Sequence, residues 1–240
     1  MQLLRELIRD IPPDAVEDVV IGVHSVLVKS TERAGIASTL KYCGPGENVR
    51  RAGELEELDL RTLAEYALSD NLLEASVGMA AVNCYFAPES GKGRPLNAKD
   101  LILEKGEGKS VGIIGHFPFL DTQKAAYAEC RIFEKEPREG DLKEEDIPDY
   151  LPEAGVVAVT ATALTNHSFE AIMRCVSPGA YVIVLGPSTP LSGIMFRHGV
   201  DALSGTRVRD YARVRKCVLQ ACPTRQLRGV DMITLFREET

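Results

Sequence analysis

The second half of the chain constrains the fold most. There, short runs of apolar, largely β-branched residues recur with helix signals set between them. The runs are Val111-Gly-Ile-Ile-Gly115, Arg131-Ile-Phe-Glu134, Val156-Val-Ala-Val-Thr160 and Tyr181-Val-Ile-Val-Leu185. Strands apolar on both faces belong inside a parallel sheet. Asp121 is placed to cap a helix through Ala128, and Asn166 to cap one reaching Val176. An acidic, proline-containing excursion covers residues 135–153. Val200–Leu203 reads as a fifth short strand, Arg207–Ala221 as a helix and Met232–Phe236 as a last strand. The alternation predicts an α/β fold with a Rossmann-like parallel sheet flanked by helices.

Within that half, Tyr181 to Gly193 is the most suggestive stretch. A buried strand runs into Gly186, Pro187, Ser188, Thr189 and Pro190. Thr189 has the chemistry of a helix cap and Pro190 that of a first helical residue. A strand feeding a helix start through glycine leaves N–H groups at the carboxyl edge of a sheet, where open α/β sheets bind ligands.

The first half has a different rhythm. Leu3, Leu4, Leu7 and Ile8 fall at helical spacing before Asp10-Ile-Pro-Pro13. Val16–Lys29 reads as a strand interrupted at Gly22 and His24. Gly35–Tyr42 reads as its hairpin partner, closed by the turn Cys43-Gly-Pro-Gly46. Asp59 can cap a helix through Leu68, and Asp70 or Asn71 one through Ala81 or beyond. This is an α+β unit without a βαβ repeat. Residues 87–109 read as a connection, giving units at 1–95 and 105–240.

Composition narrows the function classes. A formal net charge of −7 over 240 residues argues against a general binder of nucleic acid or of acidic membranes. The arginines around Arg207–Lys216 read as a solvated helix face. No apolar run reaches the ~18–20 residues needed to cross a bilayer. The N-terminus carries acids and no small-residue cleavage site, so a cytoplasmic protein is expected. Its six cysteines are then thiols. None forms Cys-x-x-Cys, and Cys217 and Cys222, five apart, have poor spacing for joint ligation from one helix. Cys84 and Cys175 read as buried apolar residues. Cys43 is the best placed to react or bind a metal, although a structural role is favoured there too.

Four strand ends converge on one edge of the predicted sheet: Gly115 with His116, then Glu134, then Thr160 to His167, then Gly186 to Pro190. Gly112-Ile-Ile-Gly115 is not the dinucleotide fingerprint, because its first glycine lies inside the strand and no helix opens directly after it. Glu134 follows at the distance where an acid takes ribose hydroxyls, and equally reads as a solvated acid. His116 and His167 sit where a base or metal ligand would be useful. His24 and His198 read as structural. Ser188 and Thr189 lack a Gly-x-Ser-x-Gly elbow and read as capping or ligand-binding hydroxyls.

Five motifs then converge on one family. Gly78-Met-Ala-Ala-Val-Asn83, Phe133-Glu-Lys-x-Pro137-x-x-Gly140-Asp141, Thr160-x-Thr162-x-x-x-Asn166, Gly186-Pro-Ser-Thr-Pro190 and Gly199-Val-x-x-Leu203-x-Gly205 resemble domain of unknown function 364. Those proteins are described as heavy-metal chelation proteins and usually carry the companion domain of unknown function 4213. The resemblance implies an enolase N-terminal-like first domain, a Rossmann-like second domain and a ligand cleft between them. It also implies a transition-metal ion, of no stated identity, as cofactor. It carries Asn83, Glu134, Thr160, Thr162, Asn166 and Gly186–Pro190 to the site. Cys84 stands where a small residue is expected, and His167 where a glycine would be usual.

Two function classes follow. The first is a protein that binds a heavy metal, a metal chelate or another small molecule in the interdomain cleft. The second is a transferase or lyase using a nucleoside-containing cosubstrate such as S-adenosylmethionine. A pure interaction module is weaker than either, and a homo-oligomer is an open alternative.

Overall fold

A computed structural model of the chain describes residues 1–240 apart from 41–47, 90, 118 and 240, and apart from the side chains of residues 121 and 239. The turn expected at Cys43–Gly46 lies outside the described residues. In chain order the elements are α1 (Gln2–Arg9), β1 (Val16–Ile21), β2 (Ser25–Ser30), β3 (Ala34–Ser38), α2 (Leu60–Ala64) and α3 (Leu72–Tyr85). There follow α4 (Ala98–Gly106), β4 (Ser110–Ile114), β5 (Glu129–Glu134), β6 (Leu142–Lys143), α5 (Ile147–Tyr150), β7 (Val156–Thr160), α6 (Thr162–Thr165) and α7 (Phe169–Met173). The chain closes with β8 (Tyr181–Leu185), α8 (Ile194–Arg197), β9 (Ala202–Val208), α9 (Tyr211–Leu219) and β10 (Val230–Phe236).

The first unit forms as its periodicity dictates. The apolar face of α1 buries Leu3, Leu4, Leu7 and Ile8. The span from Val16 to Lys29 is two antiparallel strands, β1 and β2, joined through Gly22–His24. β3 pairs with β2 on its other side, giving the order β1-β2-β3. Asp59 caps α2 by accepting from Thr62 N–H, and Asn71 caps α3 by accepting from Leu73 and Glu74 N–H. The small sheet is covered on both sides. Val26, Val28 and Ala37 belong to the same core as α3, while Leu27 and Ile36 pack with Val214 and Val218 of α9.

The second unit is a mixed α/β layer with a seven-stranded sheet in the order β10-β9-β8-β7-β4-β5-β6. Strands β4 to β9 run parallel; β10 is antiparallel to β9. Alternate residues of one strand enter opposite cores: Val157 and Val159 of β7 face the core shared with the first unit, and Val156 and Ala158 face α4. The order reverses between β4 and β7. That is the switch point at which open α/β sheets hold ligands.

Several expectations are corrected. The stretch 87–109 is not all connection, since Asn97 caps α4, whose Leu101 and Ile102 are buried against the sheet. Between β4 and β5 there is no α-helix from Asp121 to Ala128. Two 3₁₀ turns, Leu120–Thr122 and Lys124–Ala126, make the connection. The helix expected from Asn166 to Val176 is shortened to α7 because His167 takes φ +64° and interrupts it. Thr189 and Pro190 do not open a helix; α8 starts at Ile194 after Gly193. The helix expected from Arg207 begins only at Tyr211, capped by Asp210, because Arg207 stays in β9 and pairs with Asp231 across the ladder at 2.7 Å. No helix among the described residues is long and apolar enough to cross a membrane.

Candidate functional site

At the end of β4, Gly115 turns the chain out of the sheet at φ +96°, and a Cβ there would lie 3.0 Å from the Thr160 side chain. The left-handed backbone calls for glycine, and a side chain would also press Thr160 aside. Next to it, β5 ends at Glu134. Its Oε2 accepts from His116 N–H at 3.0 Å and its Oε1 from Lys135 N–H at 2.9 Å. The carboxylate thus fastens the loop after β4 to the end of β5.

His116 is held from behind. Its Nδ1 lies 3.2 Å from Asp141 Oδ2, with the ring 10% exposed and the carboxylate 1% exposed. The same oxygen accepts from Arg138 N–H at 3.1 Å, which fixes the turn delivering Asp141. A carboxylate can only accept here, so Nδ1 donates, and in the neutral ring Nε2 is the atom that carries the lone pair. Sequence reasoning does not find Asp141 as a site residue. Its signals are its place at the end of the motif Phe133-Glu-Lys-x-Pro137-x-x-Gly140-Asp141 and Gly140, at φ +87°, which lets a tight turn form just ahead of β6.

The end of β7 completes the site. Thr160 Oγ1 and Thr162 Oγ1 share a hydrogen bond of 2.9 Å, and Asn166 Oδ1 accepts from Ser168 N–H and Oγ at 3.1 and 2.7 Å. Gly115, His116, Glu134, Thr160, Thr162 and Asn166 all line one cavity of about 240 Å³ at the switch point.

The remaining candidates lie elsewhere, along the seam between the two units. Asn83 Nδ2 donates to Ile36 O at 2.9 Å and to Pro187 O at 3.0 Å. Ser188 Oγ accepts from Ser38 N–H at 2.9 Å. Gly186, at φ +116°, donates its N–H to Ser204 O, and Pro190 is buried with Ser188 and Thr189. The Gly186–Pro190 loop is therefore a closed contact and not an open wall. Asn83 Oδ1 and Thr189 Oγ1 are buried there without a hydrogen-bond partner. His167 Nε2 donates to Ala67 O at 2.8 Å, tying the cavity's neighbouring loop to the first unit. Its left-handed backbone is the physical reason a glycine would suit that position.

The other candidates resolve simply. His198 Nε2 meets Glu6 Oε2 at 3.0 Å, and His24 stands exposed in the β1–β2 turn. Cys84 is buried, its thiol pushed up by burial and donating to Arg33 O at 3.2 Å. Cys43 lies outside the described residues.

The residues of the cavity do not make a ligand set for a bare ion. Among the described residues, no three His, Cys, Asp or Glu side chains gather as metal ligands anywhere. A closed zinc-type site needs four such donors and an open one three. One imidazole, with hydroxyls, an amide, the Lys135–Glu144 ion pair and a Glu134 carboxylate already held by two backbone N–H groups, suits a small polar molecule instead. The volume is below the roughly 300–1,000 Å³ of drug-sized sites, so an intact nucleoside cosubstrate is a poor fit.

Comparison with known proteins agrees with this architecture. Residues 97–236 match the family model DUF364 and residues 4–86 the model DUF4213, each described as "Putative heavy-metal chelation". A crystal structure of a DUF364-family protein of unknown function from Desulfitobacterium hafniense DCB-2 is 25% identical. It superposes with a TM-score of 0.86 over 98% of each chain. A second, from Pyrococcus horikoshii, is 20% identical with a TM-score of 0.77, again over 98% of each chain, and shows the fold alone. No curated protein matches. With a family model covering more than half its length and the same architecture in a solved relative, the chain belongs to the DUF364 family and carries the DUF4213 companion ahead of it.

Proposed function

We propose that the protein binds a small polar molecule, or a heavy metal carried as a chelate by such a molecule, in the cavity at the switch point. His116 is the donor to the ligand. One observation carries the reading: a nearly buried imidazole beside the cavity is backed by an almost wholly buried carboxylate. An acceptor on Nδ1 fixes the tautomer and raises the basicity of Nε2, the arrangement that suits a ligating histidine. A chelate brings most of its own donors, so a single imidazole completes the coordination. Thr160, Thr162 and Asn166 orient the polar edge of the molecule. In this reading units 1–95 and 105–240 divide the work. The first buttresses the second through Asn83 and Ala67, and the ligand sits beside the seam.

The test is thermal stability of chain purified without a histidine tag. Nickel, cobalt, zinc and iron(II) are each added alone and as polycarboxylate chelates. The chelates are expected to raise the melting temperature more than the bare ions. A ligand at ~100 times its Kd stabilises by about 2.7 kcal/mol. His116→Ala is expected to abolish the shift, and Asp141→Asn to weaken binding roughly 10- to 100-fold. No shift with any chelate, or an equal shift in His116→Ala, sinks the reading.

A further inference from the structure

Helix α9 ends in a closure that turns the chain back on its own last turn. Ala221 N–H donates to Val218 O at 3.1 Å, and Cys222 N–H donates to Cys217 O at 2.9 Å. Ala221 between them is left-handed, at φ +54°. These are the two bonds of a Schellman motif, which sets the side chain two past the cap against one in the final helical turn. An apolar pair usually fills those positions; here both are cysteines. The five-residue spacing is poor for a shared ligand only while the helix continues. Once the helix closes this way, it is the spacing that brings the two side chains together.

Burial and the neighbouring Cys217 thiol push the Cys222 thiol up, so the pair keeps its protons until a metal displaces them. Cys217 is 8% exposed and Cys222 is half-buried, so the pair is reachable from one side. Both line a surface hollow with Arg213, Lys216, Arg225 and Arg228. Among the described residues, only Arg213 of these four has a carboxylate partner, Asp210 at 3.5 Å. The Arg228 charge acts against that upward push and favours the thiolates that a bound metal requires.

We propose that Cys217 and Cys222 form a two-sulfur site for a soft, thiophilic metal cation. Binding breaks two S–H bonds and forms two sulfur–metal bonds. Both protons leave to solvent, and no electrons are transferred. No third His, Cys, Asp or Glu joins the pair among the described residues. The site therefore suits soft ions content with two sulfurs and not ions that need four donors. The surrounding cations offset the negative charge that two thiolates bring. The site is remote from His116 in sequence and shares no lining residue with the switch-point cavity, so it stands or falls independently of that reading.

Mercury(II) is the probe. One equivalent is added to the reduced full chain together with ten equivalents of a monothiol, and retained metal is measured after gel filtration. One mercury per chain is expected, with at least tenfold less retention in Cys222→Ser and in Cys217→Ala. Cys43→Ser is expected to retain as much as the parent. The double variant Cys222→Ser/Leu219→Cys restores the thiol count at an exposed position that does not face Cys217 on the helix, and is expected to retain no more than Cys222→Ser. Retention by the parent that does not exceed Cys222→Ser overturns the proposal. So does full retention by the displaced pair, or loss in Cys43→Ser. Thermal melts check folding, and the half-buried Cys222→Ser chain decides the outcome if Cys217→Ala does not fold.

Discussion

Glu74 is 3% exposed, yet its carboxylate is held below the ordinary range. Burial pushes it up, and hydrogen bonds from the Arg50 side chain, the Ser69 hydroxyl and Arg50 N–H outweigh that penalty. A carboxylate with a lowered folded value contributes stability above its unfolded value of about 4.5 and loses it as pH falls through the lower folded value. Glu74→Gln is expected to cost about 1–3 kcal/mol at neutral pH and markedly less in acid. Urea unfolding at pH 7 and pH 3.5 measures both losses; equal losses would contradict this account. At this scale the cavity was half legible. Gly115, His116, Glu134 and Thr160 stand out because each follows an unmistakable strand. Asp141 does not, because a two-residue strand and a tight turn deliver it without any periodic pattern.

Among the elements, α9 offers the clearest test of local chemistry. Ala221 occupies the left-handed position that glycine fills without steric penalty. Ala221→Gly is expected to stabilise the chain by about 0.5–1 kcal/mol. That corresponds to a rise of roughly 1–4 °C in melting temperature for a domain of this size. A fall on calorimetry would mean that the strain is absent. Strands and long helices were readable from sequence, since α1, β7 and β8 bury the residues their spacing marks. α4 was hidden because its buried Leu101 and Ile102 sit among charges. Thr189 and Pro190 satisfy every local rule for a helix start. There the tertiary contacts of Ser188 with Ser38 and of Pro187 with Asn83 hold the chain out of a helix until Ile194, a force no local rule records.

For the molecule as a whole, α3 is the element that both units build on. Eleven of its 14 residues are buried. Its neighbours approach at backbone distance: a Cβ on Gly78 would lie 1.9 Å from Ala67 N, and one on Gly35 would lie 2.0 Å from Cys84 N. Neither contact can relax by turning a side chain. Gly78→Ala is therefore expected to cost on the order of 4 kcal/mol or more, read as loss of soluble, cooperatively melting protein. A melting temperature within 2–3 °C of the parent, a shift that roughly 1 kcal/mol would produce, would show that the backbone yields. The division into an α+β unit and a parallel sheet was legible from the change of rhythm near residue 110. The extent of their fusion was not, since α9 from the second unit covers the small sheet of the first.

The burial of α3 has a consequence in time. With almost no face toward water, the helix is not uncovered by fraying at a loop or a terminus. Its backbone hydrogens trade with solvent only when the entire chain opens, so they act as the molecule's slowest clock.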